Sequence, residues 1–229
     1  MARLLIHVEG QTEESFVNEV LRDHLVGIGY ESVSARIVGN ARLRQRRGGI
    51  RPWLTVRKDI LNHLKQDAGC LATTMVDFYG LPEGGDRAWP GRAAAAKAET
   101  LFKAPIVEAA LASDLAKEAG DQVDCARFIL FVVVHEFEGL LFSDCGAFAQ
   151  GIGRTDLELH FRQIREAFAT PEDINDSPDT CPSKRVSNLV PGYEKPLLGT
   201  LAALEIGLAR IRAACPHFAD WLKRLESRA

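Results

Sequence analysis

Four short runs of apolar residues, separated by helical patterns, determine the expected fold of this chain. The runs are residues 4–8, 32–38, 70–76 and 128–134. Each is short and rich enough in branched side chains to form a strand. The segments between them place apolar residues at helical spacing, which gives the order β-α-β-α-β-α-β. This order predicts an α/β fold with a mostly parallel, four-stranded sheet flanked by helices.

The remaining chain is expected to be helical, apart from one polar segment. Helical patterns cover 140–148, 156–168 and 197–225. Residues 170–196 are rich in Pro, Asp and Ser and are expected to form a long loop. We assign residues 1–150 to an α/β domain and residues 151–229 to a helical C-terminal part packed on it as one compact unit.

Three of the four predicted strands end in acidic residues. Glu9 follows the first run, Asp77 the third, and Glu136 and Glu138 the fourth, while Glu13 lies in the first turn after strand one. Helical connections between parallel strands bring the strand ends to one edge of the sheet, where ligands bind in open α/β sheets. Clustered carboxylates repel one another unless a cation neutralises them, and Mg²⁺ or Mn²⁺ prefers oxygen ligands. We therefore predict a metal site at this edge.

These residues also have structural interpretations. Glu13 can be an ordinary acid at a helix N-terminus, where negative charge is favourable. If the strand continues through Glu136 and Glu138, both point to one face and reach one ion; if a helix has begun, their directions diverge and one of them enters the site. His135 is a candidate general base or ligand, but a histidine that ends a buried strand is more often hydrogen-bonded to the backbone.

Basic residues supply candidate phosphate contacts. Five arginines surround a Gly-Gly pair: Arg42, Arg44, Arg46, Arg47 and Arg51. Guanidinium groups form paired hydrogen bonds with phosphate, so this segment is a candidate nucleic-acid clamp, although a charge run is also typical of a solvated surface loop. Lys184, Arg185 and Lys195 lie within 170–196. They either contact a phosphate or neutralise the acidic residues at the strand ends.

Composition narrows the class of protein. A net charge of -3 argues against a globally basic nucleic-acid binder, but permits a local basic patch. The five cysteines lack CxxC spacing, which predicts reduced thiols in a cytoplasmic protein rather than disulfides or a zinc site. No apolar run is long enough to span a membrane. The chain contains no GxxxxGK[ST] loop, so any ATP hydrolysis is expected from a partner.

Several motifs resemble known proteins. A strand ending in VEG, followed by TEE, and a later strand ending in Asp are similar to the TOPRIM metal-binding fold of topoisomerases, primases and overcoming-lysogenization-defect (OLD) nucleases. The segments VEGQTE, MVDFYGLP, HEFEGLLFSD, CPSKR and GYEK resemble a bacterial family of unknown function that is assigned to TOPRIM-like folds. This resemblance covers nearly the whole chain. Free-standing TOPRIM proteins are often paired with an ATPase in phage-defence operons.

The resemblance implies a Rossmann-like, TOPRIM-type fold and a Mg²⁺- or Mn²⁺-dependent nuclease that acts on DNA or RNA. It gives Glu9 the role of the first-strand acid, Glu13 that of its helix companion, and Asp77 that of the first acid of an Asp-x-Asp motif. It also allows Lys184 or Lys195 to contact the scissile phosphate.

One departure from the TOPRIM pattern affects the predicted activity. Tyr79 occupies the position of the second Asp, so Glu136 or Glu138 is needed to complete the metal site. The alternative function is therefore a non-catalytic effector or regulatory subunit that docks to an ATPase. A small-molecule phosphatase or phosphotransferase also fits the acidic edge, but leaves the arginine segment unexplained.

Overall fold

The computed structural model describes residues 2–38, 50–175, 177 and 179–229. Its strands are β1 (Arg3–Val8), β2 (Ser32–Ile37), β3 (Cys70–Asp77), β4 (Phe128–Ile129) and β5 (Val132–Val133). They form one sheet in the order β2-β1-β3-β4, and β5 also pairs with β3. All of these pairings are parallel. The α/β class with a mostly parallel sheet is therefore confirmed.

Helices cover both faces of the sheet. The helices are α1 (Gln11–Phe16), α2 (Arg22–Gly27), α3 (Trp53–Gln66), α4 (Arg92–Ala95), α5 (Thr100–Ala119), α6 (Glu138–Leu141), α7 (Cys145–Gly151), α8 (Glu158–Glu166), α9 (Pro182–Leu189), α10 (Thr200–Ile206), α11 (Leu208–Ala214) and α12 (Pro216–Glu226). One apolar core lies beneath α1, α2 and the C-terminal helices, and the other beneath α3 and α5. Within the described residues, no helix is long and apolar enough to cross a membrane.

The single strand predicted over 128–134 is interrupted, so that prediction was wrong in detail. Between β4 and β5, the hydroxyl of Thr74 donates to the Phe131 carbonyl at 2.8 Å and accepts from the Phe131 N–H at 3.1 Å. A β3 side chain thereby replaces the main-chain ladder at this point. On the other edge, Glu108 accepts a hydrogen bond from the Val132 N–H at 2.8 Å. The break is stabilised by side chains that are distant in sequence.

The prediction of a long loop over 170–196 was also wrong. Helix α9 lies within it and begins at Pro182, a residue favoured in the first turn of a helix. Before α9, the buried carboxylate of Glu172 accepts hydrogen bonds from the backbone N–H groups of His217 and Phe218, both at 2.9 Å. It thus caps the start of α12. This segment packs against α1 and α6 and supplies part of the site described below.

Candidate metal centre

The acids at the strand ends come together at one edge of the sheet. Glu9 directly follows β1, Asp77 ends β3, and Glu138 begins α6. Asp77, Glu138 and Glu13 are all buried. The charges of Glu13, Glu9 and Glu138 all act on Asp77, so the four carboxylates form one electrostatic cluster. We refer to these four residues as the acidic cluster.

Backbone groups position Glu9 and Glu13. Glu9 Oε2 accepts a long hydrogen bond from the Asp77 N–H at 3.4 Å, and Glu13 Oε2 accepts from the Gly10 N–H at 2.9 Å. Gly80 leaves room for the Glu9 carboxylate, because a Cβ atom at position 80 would lie 3.2 Å from both of its oxygens. The sequence VEGQTE therefore folds so that two carboxylates approach the same edge of the sheet.

A left-handed turn at His135 determines the directions of the acids after β5. His135 has a φ of 61°, a conformation that is uncommon for residues other than glycine. Its Nδ1–H donates to the carbonyl of Ile174, which is the backbone contact expected for a histidine at a strand end. After this turn, the Phe137 N–H donates to Asp77 Oδ1 at 2.9 Å. The turn thus joins the end of β3 to the start of α6.

Glu136 and Glu138 face different partners. The Glu136 carboxylate accepts hydrogen bonds from the N–H and the hydroxyl of Ser183, at 2.8 and 2.9 Å, in the first turn of α9. Glu138 is fully buried, and its Oε2 lies 2.9 Å from Nζ of Lys195. Glu138 Oε1 accepts no hydrogen bond from the described part of the chain. Of the two alternatives for this pair, the structure shows the one in which a helix begins and the side chains diverge.

Burial disfavours the charged forms of the acids. It raises the pKa of Glu9 to about 7, with a further contribution from the charge of Glu13. The pKa of Asp77 lies well above its ordinary value, because of burial and the charges of Glu13 and Glu9. Burial raises the pKa of Glu13 and that of Glu138 as well, and the charge of Lys195 partly offsets both increases. Ionisation of these four carboxyl groups is therefore less favourable than in water.

Of the two candidate lysines, the structure brings Lys195 to the acids. Lys195 begins a π-helical turn (Lys195–Gly199), and 40% of its side-chain surface is exposed. Burial lowers its pKa, but the charges of Glu138 and Asp77 outweigh this effect and the pKa is raised overall. Lys184 is exposed on α9. Lys195 is therefore the cation paired with this cluster.

The predicted arginines are not all described by the structure. Arg42, Arg44, Arg46 and Arg47 lie outside the described residues. Arg51 forms an ion pair with Asp59 at 3.0 Å. Arg185 donates to the carbonyl of Thr180 at 2.7 Å and to Asn175 Oδ1 at 3.0 Å. The proposed contacts between these arginines and nucleic acid remain predictions.

Sequence reasoning missed Tyr193 as a site residue. Its hydroxyl is buried and makes no hydrogen bond with the described residues. The charges of Glu138 and Lys195 both act on it. The GYEK segment was recognisable as a motif, but a tyrosine two residues before a lysine carries no signal that its hydroxyl is buried near an acid.

The donor set has the chemistry of a site for a hard cation. All four members of the acidic cluster offer carboxylate oxygens, the ligands that Mg²⁺ and Mn²⁺ prefer. The ammonium group of Lys195 supplies the positive charge beside Glu138. Across residues 2–38, 50–175, 177 and 179–229, no three His, Cys, Asp or Glu side chains are already arranged to hold a metal ion.

Comparisons with known proteins identify the family alone. No curated protein and no solved structure matches this chain. A family model described as "Domain of unknown function (DUF4276)" matches residues 8–226. The match includes the acidic cluster, Tyr193 and Lys195. Because it covers nearly the whole sequence, the chain belongs to the DUF4276 family.

Proposed function

We propose that this protein is a Mg²⁺- or Mn²⁺-dependent nuclease of TOPRIM type that cleaves phosphodiester bonds in DNA or RNA as a cytoplasmic effector of phage defence. The observation that supports the proposal best is the convergence of Glu9, Asp77 and Glu138 at one edge of a parallel sheet. The resemblance to TOPRIM and OLD-type proteins adds the reaction type and the biological setting. The cysteines of the chain are free thiols, as expected in a reducing compartment.

The four members of the acidic cluster and Lys195 each have a role in this proposal. Glu9, Asp77 and Glu138 hold the cation, and Glu13 keeps the Gly10 turn in place and adds negative charge. A divalent cation held by these residues would supply Lewis-acid chemistry, which polarises a phosphodiester and lowers the pKa of water. Once Lys195 turns from Glu138 towards the substrate, its ammonium group neutralises negative charge on the phosphate. The partial exposure of Lys195 is compatible with this movement.

Cleavage of supercoiled plasmid and of total RNA tests the proposal. The assay compares wild type with Glu9→Gln and Asp77→Asn, with added Mg²⁺ or Mn²⁺ and with chelator. We expect metal-dependent cleavage in wild type and a loss of about 100-fold or more in both variants, because each lacks one anionic ligand. Glu14→Gln is the matched control, since Glu14 lies beside Glu13 in α1. Absence of cleavage by wild type under all conditions would refute the nuclease.

A second candidate is a non-catalytic subunit that docks to an ATPase. A stripe of exposed leucines favours it: Leu197, Leu201 and Leu204 follow Lys195 at helical spacing and are 55%, 42% and 46% exposed. Exposed apolar patches often mark protein interfaces. The Lys195–Glu138 ion pair also gives the site a stable arrangement that does not depend on catalysis.

Co-expression with an ATPase encoded beside this protein distinguishes the two candidates. If the stripe docks the partner, Leu201→Glu abolishes the complex in size-exclusion chromatography. Leu159→Glu, on the exposed face of α8, is the matched control and leaves the complex intact. A stable complex without cleavage would favour the subunit over the nuclease. Equal binding by wild type and Leu201→Glu would rule out docking through this stripe.

A further inference from the structure

Two side chains beside the acidic cluster carry buried polar atoms with no hydrogen-bond partner among the described residues. They are the Tyr193 hydroxyl and the Glu138 carboxylate, whose Oε2 faces Nζ of Lys195 as an ion pair while Oε1 does not. Native proteins seldom leave such atoms unsatisfied, because they have lost their hydrogen bonds to water without gaining others. Tyr193 lies two residues before Lys195, which pairs with Glu138. Its hydroxyl and the ring of Phe137, the residue before Glu138, both lie beside Gly199, so the two groups belong to the same site. A ligand is a straightforward explanation for both.

The chemistry of the two groups specifies the kind of ligand. A phenol carries its proton at neutral pH, so the Tyr193 hydroxyl can donate a hydrogen bond. When Glu138 is ionised, its oxygen can accept a hydrogen bond or bind a cation, but it cannot donate. One ligand that satisfies both is a cation bound to an oxyanion. The ammonium group of Lys195 adds a positive charge at the same place.

Close packing restricts where the Tyr193 hydroxyl can lie. A Cβ atom at position 199 would lie 3.2 Å from the hydroxyl oxygen, 3.5 Å from Thr12 Cγ2 and 3.6 Å from Phe137 Cε1. Gly199 thus allows the phenol to fit between the π-helical turn, α1 and the start of α6. A purely apolar core position would be better filled by phenylalanine, since the hydroxyl makes no internal hydrogen bond there.

We propose that Tyr193 and Lys195 form the phosphate-binding side of the site, with the Tyr193 hydroxyl donating to a non-bridging phosphate oxygen of a substrate whose cation is held by Glu138. This inference rests on the proposed function, because it assigns the substrate contact of the same site. It makes Tyr193 a substrate-binding residue whose contribution can be measured separately from cleavage.

The first test is stability without ligand. Tyr193→Phe removes a hydroxyl that makes no internal hydrogen bond, so its melting temperature should equal or exceed that of wild type. The matched control is Tyr30→Phe, because the Tyr30 hydroxyl donates to the Leu225 carbonyl at 2.8 Å on another part of the molecule. That variant should melt a few degrees lower. A comparable decrease in Tyr193→Phe would show that its hydroxyl has an internal structural role and would overturn the inference.

The second test is calorimetric binding of Mn²⁺ and then of thymidine 3′,5′-bisphosphate in the presence of Mn²⁺. Tyr193→Phe should bind Mn²⁺ within about twofold of wild type but the bisphosphate about tenfold more weakly, since one hydrogen bond to a charged group is lost. Tyr30→Phe should bind both normally. Equal bisphosphate affinity in wild type and Tyr193→Phe, or no binding by wild type, would refute the phosphate contact.

Cleavage kinetics separate this inference from the proposed nuclease. If wild type binds the bisphosphate through Tyr193 but never cleaves nucleic acid, the phosphate site is supported and the nuclease is refuted. If wild type and Tyr193→Phe cleave with the same kcat and KM, the nuclease is supported and the Tyr193 contact is refuted. If both proposals hold, Tyr193→Phe raises KM by about tenfold, in line with its bisphosphate affinity.

Discussion

The ion pair between Lys195 and Glu138 gives the clearest test of the electrostatics of the site. Glu138 is fully buried, and Lys195 Nζ lies 2.9 Å from its Oε2. Lys195→Met keeps a long apolar side chain and removes the positive charge. The remaining carboxylate would then be buried beside Asp77 and Glu136 without its counter-ion. We therefore expect the variant to be less stable than wild type in the absence of divalent cations.

The structure limits the size of this effect. Removing one partner of a fully buried pair costs about 3–5 kcal/mol, whereas a solvent-exposed pair contributes about 0–1 kcal/mol. Because 40% of the Lys195 side chain is exposed, its attraction to Glu138 is partly screened. We expect an intermediate loss of about 2 kcal/mol near pH 8. For a chain of this size, that corresponds to a decrease in melting temperature of about 4–8 °C.

The loss should depend on pH in a defined direction. Without Lys195, the pKa of Glu138 in the folded protein lies above its unfolded value, so folding favours the protonated form. The deficit is then small near pH 5 and increases as the pH rises through the folded pKa. Urea unfolding of wild type and Lys195→Met near pH 5 and pH 8 measures it. Lys184→Met, at an exposed lysine, should change stability by no more than about 0.5 kcal/mol.

A second substitution identifies the cause of the loss. Lys195→Met combined with Glu138→Gln removes both charges, and it should recover stability to within about 1 kcal/mol of wild type. If Lys195→Met were as stable as wild type near pH 8, Lys195 would not compensate a buried charge. If the double variant recovered nothing, the loss would instead reflect altered packing of the π-helical turn.

Two other measurements test the acidic cluster and the interruption between β4 and β5. Without divalent cations, the stability of wild type should fall as the pH rises from about 4.5 to about 7, because the folded-state pKa of Glu9 is raised to about 7. Glu9→Gln should flatten this part of the stability profile measured by urea unfolding. An unchanged slope would contradict the raised pKa of Glu9. Thr74→Val should lower the free energy of unfolding by about 2 kcal/mol, because the buried N–H and carbonyl of Phe131 lose their shared partner. A loss below about 0.5 kcal/mol in urea unfolding would show that these groups find another partner.

The sheet and its acidic edge were predictable because both depend on short-range patterns. An apolar run followed by a glycine and a helical pattern correctly placed β1 and the start of α1. Parallel connections then required Glu9 and Asp77 to lie at the same edge, whatever the details of packing. The interruption at Phe131 was not predictable, because it arises from the side chain of Thr74 in a different strand.

The other half of the site depends on contacts between distant segments. Polar composition suggested a loop over 170–196, but Glu136 accepts hydrogen bonds from Ser183 where α9 begins. No local pattern indicates that Lys195, rather than Lys184, reaches Glu138, because the choice depends on how the π-helical turn packs beside α1. Burial of the Tyr193 hydroxyl likewise results from packing near Gly199. Sequence patterns therefore predicted the acids better than their cationic and hydrogen-bonding partners.

The position of Lys195 links the structure to the proposed chemistry. A cation bound at Glu138 and the ammonium group of Lys195 would repel each other if both remained next to the same carboxylate. Cation binding would therefore favour movement of Lys195 away from Glu138, and an anionic substrate would offer its charge a favourable position. A substrate phosphate beside Tyr193 would provide that position and would also satisfy the buried hydroxyl. If the proposed function holds, cation and phosphate would bind cooperatively, because each would favour the position of Lys195 that the other requires.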